Sequence, residues 1–245
     1  MTLERVAHSA RPGKLLMDAY DEFRFLRCID LLKDSGCSLG STTRWLDLGC
    51  HQGQLLQLLI DRFGIVRPLG ADDWRTSLRD GKEFGWDYVQ TDLESGLPDS
   101  EPMDVISALE VLEHITDTDH FLSNVHERLK PGGWLLLSTP NINCLRNRMT
   151  VPFGAYPTGL EYRNIIHHVR LYNPHVLRAH LASTGLSEIR IRGVSFLPMR
   201  FPVLGRSGLS RGLADMFPQL CNNFIAVARK ATGSDESGLE CSQAA

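Results

Sequence analysis

The 245 residues hold no C-x-x-C pair, and the six cysteines, Cys28, Cys37, Cys50, Cys144, Cys221 and Cys241, are scattered without metal-site spacing. That excludes a finger-type zinc site and a disulfide framework, and it predicts reduced thiols in a cytoplasmic protein. Long apolar runs are missing too. The longest, such as Leu55 to Ile60, falls far short of the roughly 20 residues that span a bilayer. The opening residues, MTLERVAHSARPGK, lack the apolar core of a signal peptide. Positive charge is not in excess: 26 Lys and Arg stand against 29 Asp and Glu, for a net charge of −3. The chain therefore has no overall field that draws it to nucleic acid or an anionic membrane, local basic patches excepted. No internal repeat is present.

What remains is ordinary for a globular enzyme: 42% hydrophobic and 22% charged residues, enough chain for a substantial core. Residues 1–35 read as a polar lead-in followed by a helix over Asp18 to Lys33. From 36 to 230 short apolar runs alternate with helical patterns. Strands are predicted at Arg44–Leu48, Val66–Ala71, Asp87–Thr91, Asp104–Leu109, Trp134–Thr139, Glu188–Phe196 and Asn223–Ala228. Helices are predicted at Gln52–Phe63, His120–Leu129 and Pro174–Thr184. Such alternation predicts an α/β fold, a parallel sheet with helices on both faces. Residues 142–172 interrupt it and are expected to form a lid over the acceptor of the reaction. The small, polar residues 231–245 are expected to be disordered.

The strongest local signal is R-W-L-D-L-G-C-H-Q-G-Q-L-L-Q-L-L, residues 44–59, an apolar strand that enters a glycine turn and then a helix. Gly49 and Gly53 let the backbone approach a ligand closely. A dinucleotide site would show G-x-G-x-x-G, whereas the spacing here is Gly49-x-x-x-Gly53. Asp47, just before the turn, would repel a phosphate but suits a cation. S-adenosylmethionine carries a sulfonium and an ammonium, so charge favours that methyl donor over NAD.

This run resembles the first motif of the class I S-adenosylmethionine-dependent methyltransferases, with His51 where that family usually has glycine. The further motifs follow in the family's order. Leu69-Gly70-Ala71-Asp72 ends the second strand, with the acid about 20 residues beyond the turn, where it is expected to accept the ribose hydroxyls. Trp74 is placed either to cover the adenine or to pack. In the family an acid such as Asp92 receives the adenine amino group and the next residue, here Leu93, contacts the ring. Leu109 completes the expected cofactor-binding set. The run L-K-P-G-G-W-L-L-L-S-T-P-N, residues 129–141, matches the turn and fifth strand of many members. The resemblance implies a Rossmann-like fold with a mostly parallel seven-stranded sheet whose last strand is antiparallel.

The fourth strand ends in Leu109-Glu110-Val111-Leu112-Glu113-His114. Were Glu110 to open a helix, Glu110, Glu113 and His114 would share one face and form a divalent-metal site. The alternative is that the carboxylates cap the helix or hold the donor's ammonium. E-x-x-E-H followed by a later histidine resembles the ubiquinone-pathway O-methyltransferases and the small-RNA 2′-O-methyltransferases. His168 is the closer match to that histidine and His167 the fallback. Mg²⁺ prefers oxygen, so the imidazoles favour Mn²⁺, Fe²⁺, Co²⁺ or Zn²⁺. Without a metal, His114 or His167 is the general-base candidate. Arg24 and Arg27 lie on the N-terminal helix; a solvated surface position is expected for both, the alternative being that one of them holds the donor's carboxylate. The reading is a methyltransferase, O-directed, acting on a small-molecule, sugar or lipid-linked acceptor rather than nucleic acid. An N-methyltransferase, a non-catalytic donor-binding regulator and an NAD-linked dehydrogenase are the rival readings.

Overall fold

A computed structural model of the chain describes residues 17–73, 84–158, 160, 167–196 and 205–232. Helix α1 (Ala19–Asp34) leads into β1 (Trp45–Leu48), α2 (Gln54–Phe63), β2 (Leu69–Asp72), β3 (Asp87–Gln90) and β4 (Met103–Leu109). Then come α3 (Thr118–Arg128), β5 (Leu129–Pro140), α4 (Leu145–Thr150), α5 (Pro174–Ser183), β6 (Leu186–Gly193), α6 (Gly208–Met216) and β7 (Asn223–Lys230). The seven strands form one sheet in the order β3-β2-β1-β4-β5-β7-β6. Neighbouring strands from β3 to β5 are parallel, and β7 runs antiparallel between β5 and β6. This is the expected sheet.

Alternation along each strand divides two cores. Leu46, Leu48, Ile106, Ala108, Leu135 and Leu137 face α3 and α5 through Phe121, Leu122, Leu177 and Leu181. Trp45, Val105, Leu109, Trp134 and Leu136 face α1 and α2 through Phe25, Ile29, Leu55 and Leu59. A period of two in strands against an apolar stripe in each helix produces this layering.

Local chemistry sets the helix ends. Asp18 caps α1, accepting from the amides of Tyr20 and Asp21 at 2.7 and 2.8 Å. Asn173 caps α5, whose first residue is Pro174, and Gly185 follows its end with φ +82°. Strand β5 begins earlier than expected because Lys130–Gly133 are accommodated as an irregularity: Met103 pairs with Leu129, while Val105 pairs with Trp134. Helices α4 and α6 were not anticipated. LRNRMT carries no apolar stripe, and GLSRGLADM holds two glycines. None of the described helices is long and apolar enough to cross a membrane. Of the cysteines, Cys28, Cys37, Cys50, Cys144 and Cys221 are free thiols, and Cys241 lies outside the described residues.

Candidate active site

At the carboxyl end of β1 the chain makes the expected turn. Gly49 and Gly53 have φ of +69° and +80°, and His51 takes the same left-handed region at +48°. Packing within the protein fixes both glycines. A Cβ on Gly49 would stand 2.5 Å from Val111 Cγ2, and one on Gly53 would stand 2.3 Å from Trp86 Cζ2. The turn is tied to β2 by the Gly49 amide on the Ala71 carbonyl (2.8 Å) and the His51 amide on Asp72 Oδ2 (2.8 Å). One oxygen of Asp72 therefore holds the turn itself.

Beside this turn lies a cavity of about 780 Å³. Of the expected cofactor residues, Asp47, Gly49, Asp72, Asp92, Leu93 and Leu109 line it. Gly53 is not among the described lining residues, and Trp74 lies outside the described residues. Among the described residues, seven carboxylates reach the lining (Asp21, Asp47, Asp72, Asp73, Asp92, Glu94 and Glu110) against one arginine, Arg24. Asp47 is 4% exposed. A relay runs from Trp45 Nε1 to Ser107 Oγ (2.7 Å) and from that hydroxyl to Asp47 Oδ1 (2.6 Å). Burial pushes the Asp47 carboxyl up to about 7, opposed by the Ser107 hydrogen bond and reinforced by Asp72. Asp92 organises its own turn, accepting from the Glu94 amide (3.0 Å) and Ser95 Oγ (2.8 Å).

Two sequence expectations need correction. Arg24 and Arg27 are not solvated. Arg27 is 6% exposed and donates to the Gly193 carbonyl (3.1 Å) and to Asp215. Arg24, 12% exposed in its side chain, pairs with Asp21 at 2.9 Å and Glu110 at 3.5 Å. Both are covered because α1 lies across the sheet with its apolar stripe down, which brings the stripe's basic neighbours with it. Nor does Glu110 open a helix. Its backbone is left-handed, φ +57°, and only a 3₁₀ turn, Leu112–His114, follows. Its carboxylate accepts from Ser138 Oγ (2.7 Å) and Asn223 Nδ2 (2.9 Å), so it ties β4 to β5 and β7.

The three-residue cluster that does form is Glu113, His114 and His168, each offering a ligand atom within 4.8 Å of the others. Glu113 is 2% exposed and accepts from Thr139 Oγ1 (3.1 Å). Burial, then Glu110, push its carboxyl up to about 8. His114 Nδ1 meets the His167 carbonyl at 2.9 Å, which leaves Nε2 as the ligand nitrogen, and its ring stands edge-on to His168 at 4.9 Å. The Glu113 carbonyl accepts from the amides of Val169 (2.8 Å) and Arg170 (3.1 Å), which anchors the distant histidine segment. His114 also lines the cavity and so joins the cluster to it, with Glu110 and His167 beside it on the lining. Among the described residues of 142–172, His167 is the one that lines it. Sequence reasoning missed Asp21, Glu94 and Val111, for which no motif gave a signal.

Residues 20–190 match a family model described as a methyltransferase domain. The chain is similar to a ubiquinone biosynthesis O-methyltransferase of Brucella anthropi, 32% identical over 168 residues, 64% of this chain and 64% of that relative's length. It is also similar to one of Coxiella burnetii, 26% identical, over 63% of this chain and 68% of the relative. Among solved structures, a Thermotoga maritima S-adenosylmethionine-dependent methyltransferase, described as a possible histamine N-methyltransferase, shares the fold. Its TM-score is 0.60 at 16% identity, over 86% of this chain and 91% of that one.

Proposed function

Because the chain belongs to the methyltransferase-domain family, we propose that it moves a methyl group from S-adenosylmethionine to an acceptor hydroxyl held at a divalent metal on Glu113, His114 and His168. The observation that carries this reading is the cluster of Glu113, His114 and His168, which meets the acidic cavity through His114. The relatives named O-methyltransferases support oxygen as the accepting atom.

The cavity fits the donor. Asp47 is a buried carboxyl whose charged form a nearby cation would favour, and the donor's ammonium is such a group. Asp72, on the cavity lining, suits the ribose hydroxyls, Asp92 and Leu93 flank the place for the adenine, and among the described lining residues Arg24 is the arginine in reach of a carboxylate. The bound donor supplies an already activated methyl group, so no covalent enzyme intermediate is needed. The protein's task is alignment and exclusion of water.

Oxygen needs its proton removed. A bound divalent ion supplies a lowered hydroxyl pKa, and Mg²⁺, Mn²⁺, Fe²⁺, Co²⁺ or Zn²⁺ would each do so. His167, exposed at the cavity edge, is placed to take the proton; His114 takes that role if no metal binds. Glu113, His114 and His168 would hold such an ion, and an acceptor with two neighbouring oxygens, a vicinal diol or a catechol, would suit it. The test is Glu113→Ala. It should lose both metal, by elemental analysis, and methyl transfer, and keep S-adenosylhomocysteine affinity. Loss of the cofactor affinity alone would contradict the assignment.

A further inference from the structure

Glu94 lines the cavity but has no part in the methyl transfer described above. It stands on the loop after β3, next to Leu93 and two residues beyond Asp92, the pair that flanks the place for the adenine. That loop is closed on itself: Asp92 accepts from the Glu94 amide at 3.0 Å and from Ser95 Oγ at 2.8 Å. The Glu94 side chain reaches out of the loop to a different part of the chain. Its Oε1 accepts from the Thr116 amide at 2.5 Å and its Oε2 from the Asp117 amide at 3.4 Å. Such bonds to a carboxylate are charge-assisted and belong to the stronger kind.

Thr116 lies two residues beyond His114, and Ile115 between them is buried and lines the cavity. Thr116 is also held from its other side, because Arg170 Nη2 donates to its carbonyl. Arg170 in turn sits two residues beyond His168. Its amide and that of Val169 are bound to the Glu113 carbonyl at 3.1 and 2.8 Å. Three segments far apart in sequence therefore meet at Thr116: the donor loop through Glu94, the turn that bears Glu113 and His114, and the segment that bears His168.

A carboxylate ahead of α3 would suit a helix cap, but Asp117 already fills that place, accepting from the His120 amide at 3.0 Å. Among the described residues, Glu94 supplies the hydrogen bonds that join the donor loop to the turn of Glu113 and His114. We propose that Glu94 is a positioning residue through which donor occupancy sets the acceptor end of the site. A donor seated against Asp92 and Leu93 settles their loop, Glu94 carries that order to Thr116, and Thr116 carries it to the segments of Glu113, His114 and His168. Freedom lost when the donor binds is then not lost again when the acceptor arrives, so the two bind with positive coupling. The inference rests on the donor reading of the cavity and does not depend on the metal.

The experiment is hydrogen exchange of the full chain, read by mass spectrometry over residues 167–172, with and without saturating S-adenosylhomocysteine and with no metal added. The reporting amides are those of Val169 and Arg170, which bond to Glu113 and not to Glu94. In the wild type the ligand should slow their exchange about fivefold or more. Glu94→Ala should abolish that difference, and Glu94→Gln, which keeps one acceptor oxygen for Thr116, should retain part of it. A role confined to holding α3 would change exchange equally with and without the ligand. Arg170→Gln breaks the link from the far side of Thr116 and should abolish the difference at Val169, which guards against a folding artefact in Glu94→Ala. Calorimetry on the same samples measures S-adenosylhomocysteine binding. Failure of the wild type to bind it would overturn the donor reading and this inference with it. Binding that leaves the wild-type exchange unchanged, or a difference that survives in Glu94→Ala, would overturn this inference alone.

Discussion

Asp47 shows how a single buried acid couples pH to ligand. Burial first, then Asp72, raise it from 3.8 to about 7, with Ser107 opposing. The folded protein therefore holds a proton between about pH 4 and 7 that the unfolded chain has released. Stability of the unliganded protein should fall as pH rises through that window and level off above it. Binding of S-adenosylhomocysteine, whose ammonium wants the carboxylate, should strengthen over the same window and release a proton near its lower end. Calorimetry in buffers of different ionisation enthalpy measures that proton. Asp47→Asn should weaken binding and flatten the dependence, and an unchanged profile in that variant would show that another group titrates. Asp47 was legible in the sequence because it precedes a glycine turn. Arg24 was not: whether a basic residue beside an apolar stripe is solvated depends on what the helix lies across, and no local pattern records that.

At the scale of elements, the glycine turn and the β4 terminus were read with different success. The spacing of Gly49 and Gly53 revealed a strand–turn–helix, and the structure adds that Trp86 and Val111 close off both positions. Gly53→Ala should destabilise by about 1–3 kcal/mol, through left-handed strain and the contact with Trp86, and a thermal melt reads it. A melting temperature unchanged by the substitution would mean that the turn relaxes freely. The E-x-x-E-H run was read as one face of a helix, and the left-handed Glu110 breaks it. Sequence separation of three and four suggests an α-helix only where the backbone stays helical, and here the segment Leu112–His114 is a single 3₁₀ turn. Glu110→Ala should cost stability, through the lost bonds to Ser138 and Asn223, yet retain the metal that Glu113→Ala loses. Equal metal loss in both would restore Glu110 to the ligand set.

For the whole molecule, the alternation of strands and helices was enough to place all seven strands, because period-two burial on a doubly covered sheet leaves a strong trace. It was not enough for α4, which has no apolar stripe, or for α6, where Gly208 and Gly212 interrupt the short stripe of Leu209, Leu213 and Met216. The sequence pointed to the acids and to the His167–His168 segment, whereas the part of the wall supplied by α1, Asp21 and a buried Arg24, left no local pattern. Ligand linkage should appear globally: at a hundredfold excess over Kd, S-adenosylhomocysteine should stabilise the fold by about 2.7 kcal/mol, read as a rise in melting temperature. NAD should give no rise, and an NAD response without one from the adenosyl compound would contradict the cavity's charge logic. The most direct test is transfer of labelled methyl from S-adenosylmethionine to a panel of catechols and vicinal diols, with protein shown metal-free by elemental analysis and with the same protein reloaded. The account predicts label on a hydroxyl oxygen only after reloading; full-rate transfer by the metal-free protein, or label on nitrogen, would contradict it.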